Sequence, residues 1–123
     1  MNATPKKTLV LGASDNPERY SYQAIVLLRR FGHPVFGIGK KKCQVADVGI
    51  EEHPATYSAI DTVTLYLNPI HQRTYYDLIV NSHPARVIFN PGTENPELEE
   101  LLEKNKIPYL EACTLVMLQT HQY

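Results

Sequence analysis

The sequence predicts an α/β protein, a single doubly wound domain over residues 1–123 with a mainly parallel sheet of five strands. Apolar runs of strand length alternate with amphipathic runs of helix length along the whole chain. An Asn-Pro pair, which favours a helix start, precedes each helical run. This alternation predicts parallel pairing through right-handed crossovers, with helices on both faces of the sheet. The simplest strand order is 3-2-1-4-5.

The predicted strands are apolar runs bounded by polar or turn-forming residues. They span residues 7–11, 34–38, 62–67, 86–89 and 107–110. The helical runs span residues 19–31, 70–81 and 97–104. In the first helical run, apolar residues recur at i, i+3, i+4 and i+7, which predicts one buried stripe. The stripe residues are Ala24, Leu27, Leu28 and Phe31. Residues 40–61 are less regular, with a short edge ribbon expected near 45–50 and a helical turn near 56–60.

A short turn of small residues, 12–17, connects the first strand to the first helix. Asn16 is predicted to cap this helix, with Pro17 at its first position. A helix N-terminus offers free amides and a partial positive charge, which suit a phosphate. Ligands of such sheets bind beyond the carboxyl ends of the strands, where the strand order reverses. The predicted order brings residues 12–17 beside residues 90–92, so these two loops form the predicted site.

The residues around this site favour a phosphorylated adenosine group over NAD. The dinucleotide fingerprint Gly-x-Gly-x-x-Gly is not met, because its three positions hold Gly12, Ser14 and Pro17. An NAD site needs an acidic residue after the second strand, but none occurs before Asp47. Lys40 stands there instead, and a lysine favours a ribose that carries a phosphate. Coenzyme A and NADP both meet this requirement.

Composition and charge narrow the class of partner. The net charge of −1 argues against nucleic acid, whose binders neutralise many phosphates with Lys and Arg. No apolar run approaches the roughly 20 residues of a membrane span, and residues 1–7 lack an apolar signal core, so we expect a cytoplasmic protein. The five histidines show no metal-ligand spacing, although His71, just after a predicted cap, is a candidate for the cleft. Cys43 and Cys113 are too few for a disulfide framework, and Cys43 is expected to be exposed.

Residues 9–21 read Leu-Val-Leu-Gly-Ala-Ser-Asp-Asn-Pro-Glu-Arg-Tyr-Ser, and residues 31–35 read Phe-Gly-His-Pro-Val. Pro-Gly follows the fourth predicted strand, and Glu-Ala-Cys follows the fifth. Together these stretches resemble the small bacterial CoA-binding domain proteins, which are similar in turn to the N-terminal domain of the succinyl-CoA synthetase α-subunit. The resemblance implies a Rossmann-like fold that holds coenzyme A across the strand ends. The chain departs from the family pattern at Gly39-Lys40, where an Asn-Pro pair is common, and at Asn90, where glutamine is common.

The resemblance also implies a set of binding residues along the coenzyme. The pyrophosphate would be lined by Gly12, Ala13, Ser14 and Asn16, with Pro17 in the same turn and Arg19 and Ser21 close by. The adenosine would lie near Ile38, Gly39 and Lys40. The pantetheine would follow Leu67, Asn68, Pro69, Asn90, Pro91 and Gly92. Cys113 would line the pocket, with a small core residue or a nucleophile as its alternatives.

The predicted function is binding of coenzyme A or an acyl-CoA without catalytic activity. The sequence shows no P-loop or second domain for ligase chemistry, and the site loops hold no acid–base pair at a suitable spacing. An NADP-dependent oxidoreductase, an accessory subunit of an acyl-CoA ligase and a ligand-free scaffold or dimerisation module stay open as alternatives. A homodimer also stays open, because Tyr75 and Tyr76 suit an oligomer contact.

Overall fold

A mostly parallel sheet lies at the centre of the protein. The computed structural model describes residues 4–123. Within them the strands are β1 (Thr8–Ala13), β2 (Val35–Gly39), β3 (Cys43–Val45), β4 (Val48–Glu51), β5 (Thr62–Leu65), β6 (Arg86–Phe89) and β7 (Tyr109–Glu111). The helices are α1 (Tyr20–Arg30), α2 (Pro69–Gln72), α3 (Tyr76–Ser82), α4 (Pro96–Lys104) and α5 (Thr114–Gln119), and a 3-10 turn over Arg73–Tyr75 joins α2 to α3. The strands lie in the order β3-β4-β2-β1-β5-β6-β7, and β3 pairs antiparallel to β4 while the other pairs are parallel.

The α/β class is confirmed, but the predicted five strands in the order 3-2-1-4-5 are wrong. The predicted third strand, β5, pairs with β1 in the middle of the sheet, with Thr8 opposite Thr62 and Leu11 opposite Leu65. All four residues of β5 are buried, which requires cover on both faces and a neighbour on each side. The place beside β2 is taken by β4, which with β3 forms the edge ribbon expected near residues 45–50. Residues 56–60 are irregular rather than helical.

The observed order moves the point where the sheet reverses direction. The chain leaves β1 toward β2 on one side and leaves β5 toward β6 and β7 on the other side. The crevice therefore opens between β1 and β5, next to residues 66–68, and residues 90–92 lie one strand farther away. The prediction that residues 90–92 adjoin the turn after β1 is therefore wrong, and residues 66–68 adjoin it instead.

Two buried clusters cover the two faces of the sheet, because successive side chains of a strand point to opposite faces. Leu9 and Leu11 of β1 pack in one cluster with α3 and α4, while Val10 packs in the other with α1 and α5. Ala13 joins the cluster of Val10 because the register of β1 shifts between Leu11 and Ala13. The buried stripe of α1 is rotated relative to the predicted one. It contains Ser21, Ala24, Ile25 and Leu28. Phe31 is 41% exposed, since Ile25 fills the contact with β1 instead.

Of the three Asn-Pro pairs predicted to begin helices, two do so. The Asn68 side-chain oxygen accepts the amide hydrogen of His71 at 3.1 Å, and that of Asn95 accepts the amide hydrogen of Leu98 at 3.3 Å. The predicted helix over residues 70–81 is divided into α2, the 3-10 turn and α3. Gln72 is fully buried and donates to the carbonyls of Leu67 and Thr93, which fixes α2 against the loops after β5 and β6.

The amino ends of the central strands are covered by Tyr123. Its ring lies 4.5 Å from the Arg86 guanidinium and 4.9 Å from the His33 ring, and its hydroxyl hydrogen-bonds Thr8. These contacts cover the amino ends of the central strands with the protein's own side chains. The opposite ends of the strands, their carboxyl ends, are where ligands of such sheets generally bind.

The carboxyl ends of β1 and β2 approach so closely that Gly39 has no room for a side chain. A Cβ atom on Gly39 would lie 2.1 Å from the carbonyl oxygen of Ala13. Because that oxygen belongs to the backbone, relief requires the two strands to separate. Gly39 therefore sets the spacing of the loops that follow β1 and β2.

We expect Gly39→Ala to lower the free energy of unfolding by about 2 kcal/mol, since overpacking of this kind forces a backbone shift. Urea unfolding followed by circular dichroism measures the change. Gly49→Ala is the matched control on β4, because a Cβ there meets its nearest atom, the Glu51 carboxylate, at 3.9 Å. Equal stability of the two variants would contradict the proposed spacing role.

Glu99 on α4 and Glu111 at the end of β7 form a close pair of carboxyl groups. Burial is the main cause that raises the pKa of Glu99 to about 7, followed by the neighbouring carboxyl group of Glu111 and by the charges of Glu103 and Glu94. The Glu99 Oε2 atom is buried without a partner among the described residues. The folded-state pKa of Glu99 lies above its ordinary value of 4.5. The contribution of its bound proton to the free energy of unfolding is therefore fully present below pH 4.5 and is lost as the pH rises through about 7.

Glu99→Gln should raise the free energy of unfolding by about 1 kcal/mol near pH 8, after allowance for solvent screening, because the amide cannot ionise. The gain should shrink as the pH falls toward about 5, where wild-type Glu99 is protonated. Chemical denaturation across this pH range measures the effect. Glu100→Gln on the same helix is the control, and a similar gain there would show that the change reflects net charge instead of the carboxyl pair.

Candidate functional site

A cleft of about 840 Å³ lies at the carboxyl ends of β1, β2, β5 and β6. The loop after β1 forms one wall, the residues after β2 close one end, and α2 with the following turn forms the opposite wall. The cleft therefore occupies the crevice where the strand order reverses, which is the expected location of a ligand in this type of sheet.

The turn after β1 is held against the end of β5 by Gly12. This residue has a φ of +93°, and a Cβ atom on it would lie 2.8 Å from the carbonyl oxygen of Tyr66. Glycine is thus required both by the backbone conformation and by the contact with β5. Within the turn, Ser14 Oγ accepts the amide hydrogen of Asn16 at 3.1 Å, which fixes the shape of the cleft wall.

The start of α1 differs from the prediction. Asn16 does not cap the helix, because its side chain accepts the amide hydrogen of Glu18 at 3.0 Å and its carbonyl accepts that of Arg19 at 3.0 Å. Asn16 and Pro17 thus form a separate turn, and α1 begins at Tyr20. Because the hydrogen bonds of this turn are made within the turn itself, the helix begins at Tyr20, three residues after the predicted first position at Pro17.

The first turn of α1 faces the cleft without a side-chain cap. Arg19 occupies the cap position in an extended conformation and makes no capping hydrogen bond. The first intrahelical bond joins the Gln23 amide to the Arg19 carbonyl, so the preceding amides of residues 20–22 have no intrahelical acceptor. Ser21 lines the cleft and is 3% exposed. The site therefore retains the anion-binding character of a helix N-terminus, from residues 20–22 instead of residues 17–19.

The structure brings together most of the residues predicted for the site. Those that line the cleft are Gly12, Ala13, Ser14, Arg19, Ser21, Ile38, Gly39, Lys40, Leu67, Asn68, Pro91 and Gly92. Those outside its lining are Asn16, Pro17, Pro69, Asn90 and Cys113. The first group comes from the ends of four strands, which explains why residues 80 positions apart meet in one cleft.

Asn90 is used by the fold beneath the cleft. It is 2% exposed, and its amide nitrogen donates to Thr64 Oγ1 at 2.7 Å and to the Leu65 carbonyl at 2.8 Å. Its amide oxygen accepts the Thr114 amide hydrogen at 2.9 Å. Asn90 thereby ties β6 to β5 and to the start of α5, and these bonds occupy both ends of its side chain.

The two cysteines exchange their expected positions relative to the cleft. Cys113 precedes α5 outside the cleft lining, whereas Cys43, expected to be exposed in a polar loop, is half-buried and lines the cleft. Burial, followed by the charge of Asp15, raises the pKa of the Cys43 thiol, with Lys41 opposing the shift. Near neutral pH this environment favours the thiol over the nucleophilic thiolate.

Further cleft residues are absent from the predicted set: Asp15, Tyr20, Lys41, Cys43, Tyr66, Ile70, Thr74, Tyr75 and Thr93. His71, which the sequence offers as a candidate for the cleft, does line it. Helical spacing could have indicated two of the absent residues, since His71, Thr74 and Tyr75 stand at i, i+3 and i+4. Tyr20 and Ile70 are 70% and 72% exposed, and nothing in their sequence pattern separates them from ordinary helix positions. The ion pair between Lys41 and Asp15, at 3.3 Å, also depends on the tertiary structure.

The charges of the cleft are unevenly distributed along the chain. The loops after β1 and β2 contribute Asp15, Arg19, Lys40 and Lys41, which leaves an excess of positive charge. The cleft residues after β5 and at α2 include no Asp, Glu, Lys or Arg, and they include the apolar Leu67 and Ile70. Such a cleft suits an elongated ligand with an anionic part and an uncharged part.

Neither a metal cluster nor a membrane span is found in the part of the chain that the structure describes. Among residues 4–123, no group of three or more His, Cys, Asp or Glu side chains could hold a metal ion. None of the helices in that range has the length and apolar composition needed to cross a membrane.

A family model described as a CoA binding domain matches residues 6–119 of the chain. An uncharacterised protein of known crystal structure is 45% identical, with a TM-score of 0.94 and coverage of 98% of this chain and 100% of that chain. A hypothetical protein from Pyrococcus horikoshii OT3 is 21% identical, with a TM-score of 0.82 and coverage of 94% and 83%. A protein from Thermus thermophilus is 18% identical, with a TM-score of 0.82 and coverage of 97% and 91%.

The last two similarities show a shared fold alone, and no curated protein matches the chain. The family match, by contrast, includes all four strands whose carboxyl ends form the cleft, together with α1 and α2. On this match the chain belongs to the family of CoA binding domain proteins.

Proposed function

We propose that the protein binds coenzyme A or an acyl-CoA in this cleft and catalyses no reaction on its own. The observation that carries the proposal is the uncapped first turn of α1 at the reversal point of the sheet, beside Arg19 and Lys40. A helix N-terminus and two cations suit the pyrophosphate and the additional phosphate of the coenzyme. Membership of the CoA binding domain family supports the same class of ligand.

In the proposed orientation the pyrophosphate lies against residues 12–15 and the first turn of α1. The adenosine lies toward Ile38, Gly39 and Lys40, where β2 ends and where its 3′-phosphate would meet a cation. The pantetheine lies toward residues 67–68 and 91–92. Asn16, Pro17, Pro69, Asn90 and Cys113 would support the shape of this path from outside the cleft lining.

Exposed apolar surface in the cleft supports an acylated form of the ligand. Ile70 and Tyr20 line the cleft with about 70% of their surface exposed, so apolar area is left uncovered on both the α1 and the α2 side. Covering such area with an apolar group is favourable. An acyl chain attached to the thiol would supply that group.

The titratable groups of the cleft support binding without catalysis. Asp15 is paired with Lys41, and burial favours the protonated thiol of Cys43. His71 uses its backbone amide in the α2 cap, and its imidazole makes no hydrogen bond to a carboxylate among the described residues. Apart from the Asp15–Lys41 ion pair, no two titratable side chains of the cleft are hydrogen-bonded to one another among the described residues, which supports binding without acid–base catalysis.

Coenzyme A at concentrations well above its Kd should raise the melting temperature by roughly 5 °C, because it binds the folded state alone. NADPH should raise it less or not at all. Thermal unfolding followed by circular dichroism measures both shifts. A larger shift with NADPH would favour an oxidoreductase, and no shift with either ligand would favour a ligand-free module, so both results count against the proposal.

Lys40→Glu should weaken binding of coenzyme A by about 10-fold, because attraction to the 3′-phosphate becomes repulsion. Dephospho-CoA, which lacks this phosphate, should lose much less affinity. Isothermal titration calorimetry gives both dissociation constants. Lys42→Glu is the matched control, since Lys42 is exposed and outside the cleft lining. Equal losses for both ligands would reject a contact between Lys40 and the 3′-phosphate.

A further inference from the structure

An ion pair joins the two loops at the charged part of the cleft. Asp15 follows β1 and Lys41 follows β2, and the Lys41 Nζ atom lies 3.3 Å from Asp15 Oδ2. Both residues line the cleft, although their side chains remain partly accessible, at 39% for Asp15 and 67% for Lys41. The pair therefore lies within the surface that a ligand would contact.

A carboxylate is an unfavourable neighbour for an anionic ligand. Asp15 belongs to the same turn as Ser14 and lies in the wall next to the first turn of α1, where the proposed pyrophosphate would bind. On its own, the Asp15 charge would repel the phosphates and would oppose the partial positive charge of the helix N-terminus.

Lys41 supplies the charge that cancels this repulsion. Cys43 lies beside both groups: its thiol pKa is raised mainly by burial and next by the charge of Asp15, and Lys41 opposes that rise. Lys40 and Lys42, the neighbours of Lys41, form no ion pair within residues 4–123. The three consecutive lysines thus differ in their surroundings, which their sequence does not reveal.

We propose that the Asp15–Lys41 pair sets the affinity of the cleft for the pyrophosphate of its ligand. Lys41 permits binding by neutralising Asp15, and Asp15 limits how tightly the phosphates are held. The inference rests on the proposed function and adds a distinct role for Lys41, which acts at the pyrophosphate, whereas Lys40 acts at the 3′-phosphate.

A double-mutant cycle tests this role with coenzyme A as the probe. Lys41→Met should weaken binding by about 5-fold because Asp15 is left unneutralised, and Asp15→Asn should tighten it by about 3-fold because Lys41 is released. The double variant should return to within about 2-fold of the wild type. Calorimetry at about 50 mM and about 300 mM salt should show all these changes shrinking at the higher salt.

Dephospho-CoA distinguishes the two lysines. Because it retains the pyrophosphate, Lys41→Met and Asp15→Asn should change its affinity by the same factors as that of coenzyme A. Lys42→Met is the control for removal of a lysine charge from this segment. The melting temperatures of the unliganded variants, which should stay within about 3 °C of the wild type, report whether the loops remain intact.

A merely structural ion pair gives a different pattern. In that case both single variants weaken binding, the double variant matches either one, and the changes do not depend on salt. This pattern, or unchanged affinity in both single variants, would overturn the inference while the wild type still binds coenzyme A. Absence of binding by the wild type would instead overturn the proposed function, and this inference with it.

Discussion

The site depends on the close backbone contact that β1 makes with both neighbouring strands at their carboxyl ends. Gly12 lies against the Tyr66 carbonyl on the β5 side, and Gly39 lies against the Ala13 carbonyl on the β2 side. A side chain at either position would push the strands apart. With both glycines in place, the turn after β1 lies between its neighbours and the first turn of α1 faces the crevice, so a packing constraint places a helix N-terminus at the cleft.

Buried polar bonds hold the floor beneath this crevice. Asn90 connects Thr64 of β5 with Thr114 of α5, and the two threonine hydroxyls lie 2.8 Å apart. Because its polar atoms are paired inside the protein, Asn90 fixes the spacing of β5 and β6 and leaves ligand contacts to the loops above. Gln72 has a similar role at the opposite wall, where it bonds the loops after β5 and β6.

Most charged groups of the cleft favour an anionic ligand, and one carboxylate opposes it. Arg19, Lys40 and the uncapped α1 terminus favour an anionic ligand, whereas Asp15 opposes one unless Lys41 compensates for it. On the proposed function, the protein binds a coenzyme without consuming it and must also release it. A carboxylate placed among the binding groups lowers affinity without altering the shape of the site, and its effect can be adjusted through one neighbouring lysine.

The sequence by itself determined the α/β class, the approximate limits of most strands and the place of the turn after β1, because these follow from local periodicity and turn chemistry. It could not determine which strand lies beside β1, since that choice depends on β5 requiring cover on both sides and on the β3–β4 ribbon filling the edge. The same limit applies to Asn16, Asn90 and the Asp15–Lys41 pair. Their roles depend on partners chosen by the tertiary structure, and a residue type alone does not specify which partner satisfies it.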